Sequence, residues 1–427
     1  MSVAAALAPS AERGATARGV AFVAAFWLVF VTLDPFPDLR AALPTTVVTG
    51  QATLTYFAFL AVAGAGVALA HRYAGPGLQA LKRPPIIALG LWIAGSALFS
   101  FDPTTSLKRA ALCLLVAATA AVAPLLPRGR DEMAKLIVLA VAVPIVLSYL
   151  GVTLWPQLSI HSLADTMEPE LAGDWRGLFA HKNIAAPMFG LFAYFGVYLA
   201  RVGRPREGIA IALAALVFLI FAHGKTSSAL WAPAGLAGLW LARRPVGALG
   251  RALVLAPPLA ISALGFGAQL SPGFASLAAS LPFDSSFTGR ADVWRFAAMK
   301  LMERPLFGYG FDSFWDDPSL RANAEQGWVA QAAHAHNGYV DATLAMGLVG
   351  LALTLWALVW QPLNDLGAAA RRGADPALAA LCAQIWLYGV WVSSLETFLF
   401  DRANPVWFLF LFAVFTLRYL ATFRVAP

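Results

Sequence analysis

His336 and Asn337 close the longest polar stretch of an otherwise apolar chain, and Gly347-Leu348-Val349-Gly350 follows after nine intervening residues. Histidine titrates nearest neutral pH and accepts a hydroxyl proton once it is oriented. Ionisable groups held at a water–lipid boundary usually have a task there. His336 is therefore the leading general base, with His334, Asn337 and Tyr339 as polar neighbours. A structural alternative is a capping or interfacial histidine. A second alternative pairs His334 and His336 on a metal. On a helix those two side chains would point ~200° apart. Only an extended backbone lets them share a face, and no third ligand stands out nearby.

The second set is cationic: Arg176, Lys182, Lys225, Arg290 and Arg295. Arginine clamps a phosphate with two parallel bonds, and lysine acts as a point charge. The string Trp175-Arg176-Gly177-Leu178-Phe179-Ala180-His181-Lys182-Asn183 packs several hydrogen-bonding groups, His181 and Asn183 among them, just before an apolar run. Lys225 falls in a short turn, and Arg290 opens a helical stretch. The plain alternative is that each cation snorkels to lipid headgroups. Glu396 and the Asp401-Arg402 pair, in the last polar turn, read as a structural ion pair or as a brace for the site. No phosphate-binding glycine loop, dinucleotide fingerprint or paired-aspartate nucleotide-sugar signature is present, which argues against a nucleotide site.

Membrane helices must position these groups. The chain is 59% hydrophobic and 12% charged, with mean hydropathy +0.69, whereas soluble domains carry about 25% charged residues. Apolar runs near 19–33, 47–70, 85–100, 107–125, 133–154, 184–200, 207–222, 226–242, 246–268, 337–360, 377–398 and 404–422 predict about twelve spanning helices. Pro124, Pro144, Pro187 and Pro233 interrupt some of them, as spanning helices tolerate. With the N-terminus placed in the cytoplasm, most of the 30 Lys and Arg fall on the inner loops and most of the 23 Asp and Glu on the outer ones. This is the positive-inside pattern. The net charge of +7 is thus a topology signal and no evidence for nucleic acid. Both termini are predicted to be cytoplasmic. The first apolar run ends in Thr32-Leu33-Asp34-Pro35 without a small-residue cleavage pattern, so it reads as a retained helix.

The fold class is an all-α polytopic bundle, divided as residues 1–268 with nine spans, 269–336 as a large polar loop, and 337–427 with the last three spans. Two loops are long, 155–183 and 269–336, and both fall on the outer face. In the second, Thr288 is a plausible helix N-cap. Val293, Phe296, Ala297 and Leu301 recur at helical spacing, Pro305 ends the helix, and Gly308-Tyr309-Gly310 signals a turn. An amphipathic helix lying along the membrane surface is expected here, or one packed on the bundle; the two are compatible. Gly347 and Gly350 read as a close-approach pair between helices. Cys113 and Cys382 lie inside apolar runs and read as packing residues. No internal repeat is visible.

These motifs resemble the O-antigen ligase/polymerase superfamily of bacterial envelope glycosyltransferases. The resemblance is carried by Arg176–Asn183, Lys225-Thr226-Ser227-Ser228, Thr288-Gly289-Arg290-Ala291-Asp292-Val293-Trp294 and Arg304-Pro305-Leu306-Phe307-Gly308-Tyr309-Gly310. The His336-Asn337 motif with Gly347 and Gly350 completes it. Each motif is weak alone; their order and spacing make the match. The resemblance implies an inverting glycosyltransferase that uses neither metal, cofactor nor nucleotide sugar. Its donor would be a glycan on undecaprenyl pyrophosphate, presented at the periplasmic face of the inner membrane. His336 would activate the acceptor hydroxyl, and Arg176, Arg290 and Lys225 would hold the pyrophosphate, with Lys182 nearby. A diphosphate leaves as a stable anion, so electrostatic stabilisation replaces a general acid.

Two activities compete within the family. A polymerase joins lipid-linked repeat units, and a ligase moves the chain to lipid A-core. The strings Phe179–Asn183 and Glu396-Thr397-Phe398-Leu399-Phe400 look more like the exopolysaccharide polymerase branch. A chain-length regulator is a further possible partner. A transporter or flippase is the competing class. It would place ionisable residues at the bilayer midplane and often show repeats, whereas these polar residues gather on one face.

Overall fold

The structure, a computed structural model, describes residues 3–31, 34–40, 51–166, 168–243, 246–280, 290–322, 329, 332–402 and 404–423. The helices are α1 (Val3–Val31), α2 (Gln51–Ala80), α3 (Pro84–Ser96), α4 (Pro103–Val122), α5 (Arg130–Leu154) and α6 (Lys182–Arg201). There follow α7 (Pro205–Phe221), α8 (Lys225–Ala242), α9 (Ala248–Leu264), α10 (Pro272–Ser280), α11 (Arg290–Glu303) and α12 (Pro318–Ala322). The chain ends with α13 (Gly338–Thr354), α14 (Gln361–Arg372), α15 (Pro376–Val392) and α16 (Pro405–Leu420). Among the described residues the only strand-like pairing is an isolated antiparallel bridge, Ile160 to Trp175.

Each of the expected apolar segments falls on a helix. Among the described residues seven helices are long and apolar enough to cross a membrane, and three shorter apolar ones are Pro84–Phe99, Pro376–Val392 and Pro405–Leu420. The chain is a multi-pass membrane protein with a helical-bundle fold. The helix starts follow local chemistry. Asp102 accepts the Thr105 amide at 3.1 Å. Asp375 accepts the Ala377 and Leu378 amides at 2.9 and 2.8 Å, and Asn404 accepts that of Val406 at 3.0 Å. Each satisfies donors that the first helical turn leaves open. Helices α6, α15 and α16 are buried along nearly their whole length and form the centre of the bundle. Cys113 and Cys382 are buried there as free thiols.

The expected span at 337–360 differs in one important way. It is part of a longer rod, Gly338–Arg372, that passes through a π-helical turn at Leu355–Trp360. It is also broken at Gly347, where φ is +69° and ψ −175°. The close approach at Gly347 is made by a loop rather than a second helix. A Cβ there would lie 2.0 Å from the Leu306 carbonyl oxygen. Backbone groups freed by the break are taken up by that loop. The Tyr309 and Gly310 amides donate to Leu344 O and Ala345 O at 2.8 and 2.9 Å. The Leu348 and Val349 amides donate to Pro305 O and Leu306 O at 2.8 and 3.3 Å. Trp92 Nε1 donates to Met346 O at 3.0 Å. Irregular backbone in a membrane protein persists where protein re-satisfies it, and here the loop does so.

The expected helix at 288–304 is observed as α11; the proposed cap Thr288 lies outside the described residues. Val293, Trp294, Phe296, Ala297 and Ala298 are buried, so α11 packs on the bundle. Its apolar face joins Tyr309, Phe314, Leu320, Ala332 and Ala335 with Val340 and Leu344 of α13 in a second small core. The large polar loop is thus anchored to the helix it precedes.

Two glycines allow a matched test. Gly347 and Gly373 both have positive φ, but a Cβ at Gly373 meets nothing within 4 Å. Gly373→Ala is expected to cost about 1–2 kcal/mol for the left-handed backbone alone. Gly347→Ala adds a backbone collision and should cost at least about 4 kcal/mol. Thermal unfolding of the two variants in detergent checks this; equal midpoint shifts would contradict it.

Candidate active site

The His334–His336 segment is fixed from three sides. Trp294 Nε1 of α11 donates to Ala335 O at 2.8 Å. The Ala335 amide donates to both carboxylate oxygens of Asp341 at 3.0 and 3.1 Å. Asn337 caps α13, accepting the Tyr339 and Val340 amides at 3.1 and 3.2 Å. The Gly338 amide bonds Ser393 O at 2.7 Å, and the Tyr339 hydroxyl donates to Val390 O at 2.8 Å. Gly338 and Tyr339 therefore hold the segment to the C-terminal end of α15, while Asn337 starts α13. His336 itself has φ +49°, a left-handed conformation costing about 1–3 kcal/mol that surrounding bonds must enforce.

His336 Nδ1 lies 3.8 Å from Glu396 Oε2, an electrostatic contact between an imidazole and a carboxylate. Arg290 binds the same carboxylate, donating to Oε1 at 2.9 Å, and also donates to Leu395 O. Burial pushes the Glu396 carboxyl up, but His336 and Arg290 outweigh it and hold it below its ordinary value. Of the two expectations for Glu396 and Asp401-Arg402, the mutual ion pair is corrected and the bracing of the site by Glu396 is observed. Glu396 faces His336 and Arg290, while Arg402 pairs with Asp312. The loop between α15 and α16 separates the two charges, and each meets the nearest opposite charge on another element.

His334 and His336 sit on irregular backbone with ring centroids 4.2 Å apart. Burial, and then the neighbouring His336, push the His334 imidazole down to about 3. It is neutral near pH 7, and its Nδ1 accepts the His336 amide at 3.3 Å. Among the described residues no three His, Cys, Asp or Glu side chains are grouped to hold a metal ion.

These groups line a cavity of about 560 Å³. One part is polar, with His334, His336, Glu396, Asp341 and Thr397. Another is apolar, with Ile184, Pro187, Ala345, Met346, Phe398 and Val406. Asp341 was not singled out from sequence. It accepts from Trp315 Nε1 at 2.7 Å and Thr397 Oγ1 at 2.5 Å as well as from Ala335. It thereby ties the loop before α12, the loop after α15 and the His336 segment together. Its sequence signal was its place in the first turn after the Asn337 cap.

The 155–183 loop supplies the facing wall. His181 and Asn183 line the cavity with Glu168. His181 Nδ1 accepts the Asn183 amide at 3.0 Å, capping α6, so Nε2 carries the proton donated to Glu168 Oε2 at 2.7 Å. His161 supports this corner, Nε2 accepting the Lys182 amide at 3.3 Å and Nδ1 donating to Asp165 at 2.9 Å.

The expected cations are dispersed. Arg176 is fully buried. Its guanidinium donates to Phe179 O at 3.1 Å and Pro37 O at 2.8 Å, so carbonyls occupy the fork expected to clamp a phosphate. Arg176 fastens the 155–183 loop to residues 34–40 and does not line the cavity. Lys182 pairs with Asp174, and Lys225 is exposed in the first turn of α8; neither lines the cavity. Arg295 pairs with Asp292 on the surface of α11 at 3.1 Å. Arg290 alone of the group reaches the site, through Glu396.

Glu168 gives a pH test. Its hydrogen bond from His181 comes first in holding its carboxyl below the ordinary value of 4.5, against burial. A lowered carboxyl contributes stability that is present above its unfolded value and lost as pH falls through the folded one. Glu168→Gln should lower the thermal midpoint at pH 7, and the gap to wild type should close as pH falls below about 4.5. A gap that persists undiminished at pH 3 would contradict this.

The O-antigen ligase family matches residues 183–355, from the N-terminal turn of α6 through the break in α13. The exopolysaccharide production protein ExoQ of Rhizobium meliloti (strain 1021) is 26% identical over 215 residues, 47% of this chain and 48% of ExoQ. Two proteins named "Putative polysaccharide ligase" match shorter stretches. That of Rickettsia conorii is 34% identical over 82 residues, 18% of this chain and 20% of the relative. That of Rickettsia bellii is 36% identical over 83 residues, again 18% and 20%. The chain thus spans about half the length of ExoQ and a fifth of the other two. The His336 motif, α11 and the broken helix all lie inside the matched region, and over residues 183–355 the chain is similar to the O-antigen ligase family.

Proposed function

We propose that this protein transfers a glycan from a polyprenyl diphosphate to a sugar hydroxyl, with His336 as general base. The observation that carries this is the His336–Glu396–Arg290 constellation at the wall of a cavity that is polar on one side and apolar on the other. Such a cavity suits a substrate with a sugar end and a lipid end.

In the transfer, the acceptor hydroxyl oxygen attacks the anomeric carbon while the carbon–oxygen bond to the diphosphate breaks. The hydroxyl proton passes to His336, and the electron pair leaves with the diphosphate. A single displacement inverts the anomeric centre. Glu396, facing Nδ1, stabilises the imidazolium as it forms, the role a carboxylate plays behind a histidine base. Arg290 keeps Glu396 ionised and in place. His181 and Glu168, on the facing wall, supply hydrogen-bonding groups for sugar hydroxyls. Arg176 acts at one remove by fastening the loop that carries them. No step in this scheme draws on a metal, another cofactor or a nucleotide.

The leading reading is a repeat-unit polymerase, supported by the likeness to an exopolysaccharide production protein along nearly half of the chain. The alternative, ligation of a finished glycan to lipid A-core, is favoured by the shorter likenesses to proteins named as polysaccharide ligases. The charge bias of the loops supports a reading with both termini in the cytoplasm and the site at the periplasmic face of the bacterial inner membrane. Of the large polar loop, Phe311, Asp312, Trp315, His334 and His336 wall that site, in keeping with a cap over it.

Transfer by purified protein from a lipid-diphosphate glycan is expected to fall about 10²–10⁴-fold in His336→Ala. Glu396→Gln should lower kcat by about 10–100-fold with the donor KM near wild type, because the imidazolium alone loses its partner. Normal kcat in His336→Ala would remove it as the base. A raised KM with unchanged kcat in Glu396→Gln would make Glu396 a binding group instead.

A further inference from the structure

The charge inside the cavity poses a problem for any diphosphate. Six carboxylate side chains line it, and among its described lining residues Arg402 is the one Lys or Arg. A leaving diphosphate needs a cation, and Arg176, Lys182 and Lys225 do not reach the cavity. Arg290 is already bound to Glu396 and Leu395 O.

Arg402 is held by Asp312. The two side chains remain 31% and 36% exposed, so the pair is open to the cavity. Asp312 is presented on a rigid strip of backbone. Arg109 donates to its carbonyl at 2.5 Å. Ser106 donates to Phe311 O at 2.5 Å, Ser100 and Ser313 share a 2.7 Å bond, and the Gly310 amide is tied to Ala345 O of α13. Arg109 also pairs with Asp316 at 2.6 Å. Beside Arg402 the wall turns apolar, with Phe398, Phe400, Val406 and Met346.

A carboxylate and a phosphate offer a guanidinium the same paired oxygen acceptors, and the phosphate carries more charge. We propose that Arg402 is the residue of this cavity that binds the donor diphosphate, and that the Asp312 carboxylate is its intramolecular competitor. The diphosphate takes the guanidinium from Asp312, and the lipid chain leaves along the apolar wall. Burial first, and then the nearby Arg109, hold the Arg402 guanidinium down to about 10. A more highly charged anion than one carboxylate therefore stabilises it further. The inference rests on the glycan-transfer reading of the same cavity, to which it adds the leaving-group site.

The test is calorimetric binding of geranylgeranyl diphosphate and of inorganic pyrophosphate to the purified full chain in detergent, with circular dichroism confirming that each variant is helical. Geranylgeranyl diphosphate should bind Asp312→Asn about 3–10-fold more tightly than wild type, since the competitor is gone. Arg402→Gln should bind it at least about tenfold more weakly, and Arg402→Lys should fall between. Equal affinity of wild type for the two probes assigns the site to the diphosphate alone. Tighter binding of the lipid form adds the apolar wall; with either result, Arg402 is upheld by the shifts of its variants and of Asp312→Asn stated above. If wild type binds but neither Asp312→Asn nor Arg402→Gln changes affinity, the Arg402 assignment is overturned and the glycan-transfer reading stands. If wild type binds neither probe, both fail.

Discussion

The backbone at Gly347 must be satisfied inside a membrane bundle, and the way it is satisfied organises the site. A break in a spanning helix exposes amides and carbonyls that hydrocarbon cannot pair, at several kcal/mol for each unpaired group. Residues 305–310 meet four of those groups. That docking fixes the chain just before Phe311 and Asp312 and brings the polar loop against α13. The second small core, with Trp294 at its centre, then holds α11 over the first turn of α13. Trp294 in turn bonds the carbonyl between His334 and His336. The break, the cap and the histidine are one mechanical unit.

Charge is arranged around this unit in two groups. His336, Glu396 and Arg290 form one, in which a carboxylate kept ionised by arginine faces an imidazole. Arg402 with Asp312 and Arg109 with Asp316 form the other, two ion pairs joined by the bond from Arg109 to the Asp312 carbonyl. Both border the same cavity, and apolar side chains of α6, α13 and α16 complete its wall. A histidine and an arginine on one cavity that also has an apolar wall suit the proposed displacement at a lipid-linked sugar.

Much of this was legible in the sequence. Hydropathy gave the spans because an apolar run in lipid has few alternatives, and Asp102, Asp375 and Asn404 cap helices where polar residues precede apolar runs. His336 was legible because a histidine at a loop–helix junction is seldom idle. The Gly347 break was not, since a small-xx-small pair reads equally as helix packing. Glu396 lies 60 positions from His336 in sequence, and nothing local pairs them. Arg176 looked like a phosphate clamp because its string is polar, but the loop folds inward and carbonyls take its fork. Arg402 was read as a partner for Glu396 by proximity along the chain, while the structure pairs it with Asp312 across the cavity.

The most direct test of glycan transfer at His336 is the electrophoretic profile of surface glycans from a strain lacking this gene, complemented with wild type or with His336→Ala at matched membrane levels. The account predicts that the lacking strain and the His336→Ala strain both retain single-repeat, lipid-linked units and lose long polymer, which wild type restores. Long polymer stranded on the lipid carrier would keep the transfer chemistry but assign it to ligation. Full-length surface polymer in the His336→Ala strain would contradict the account.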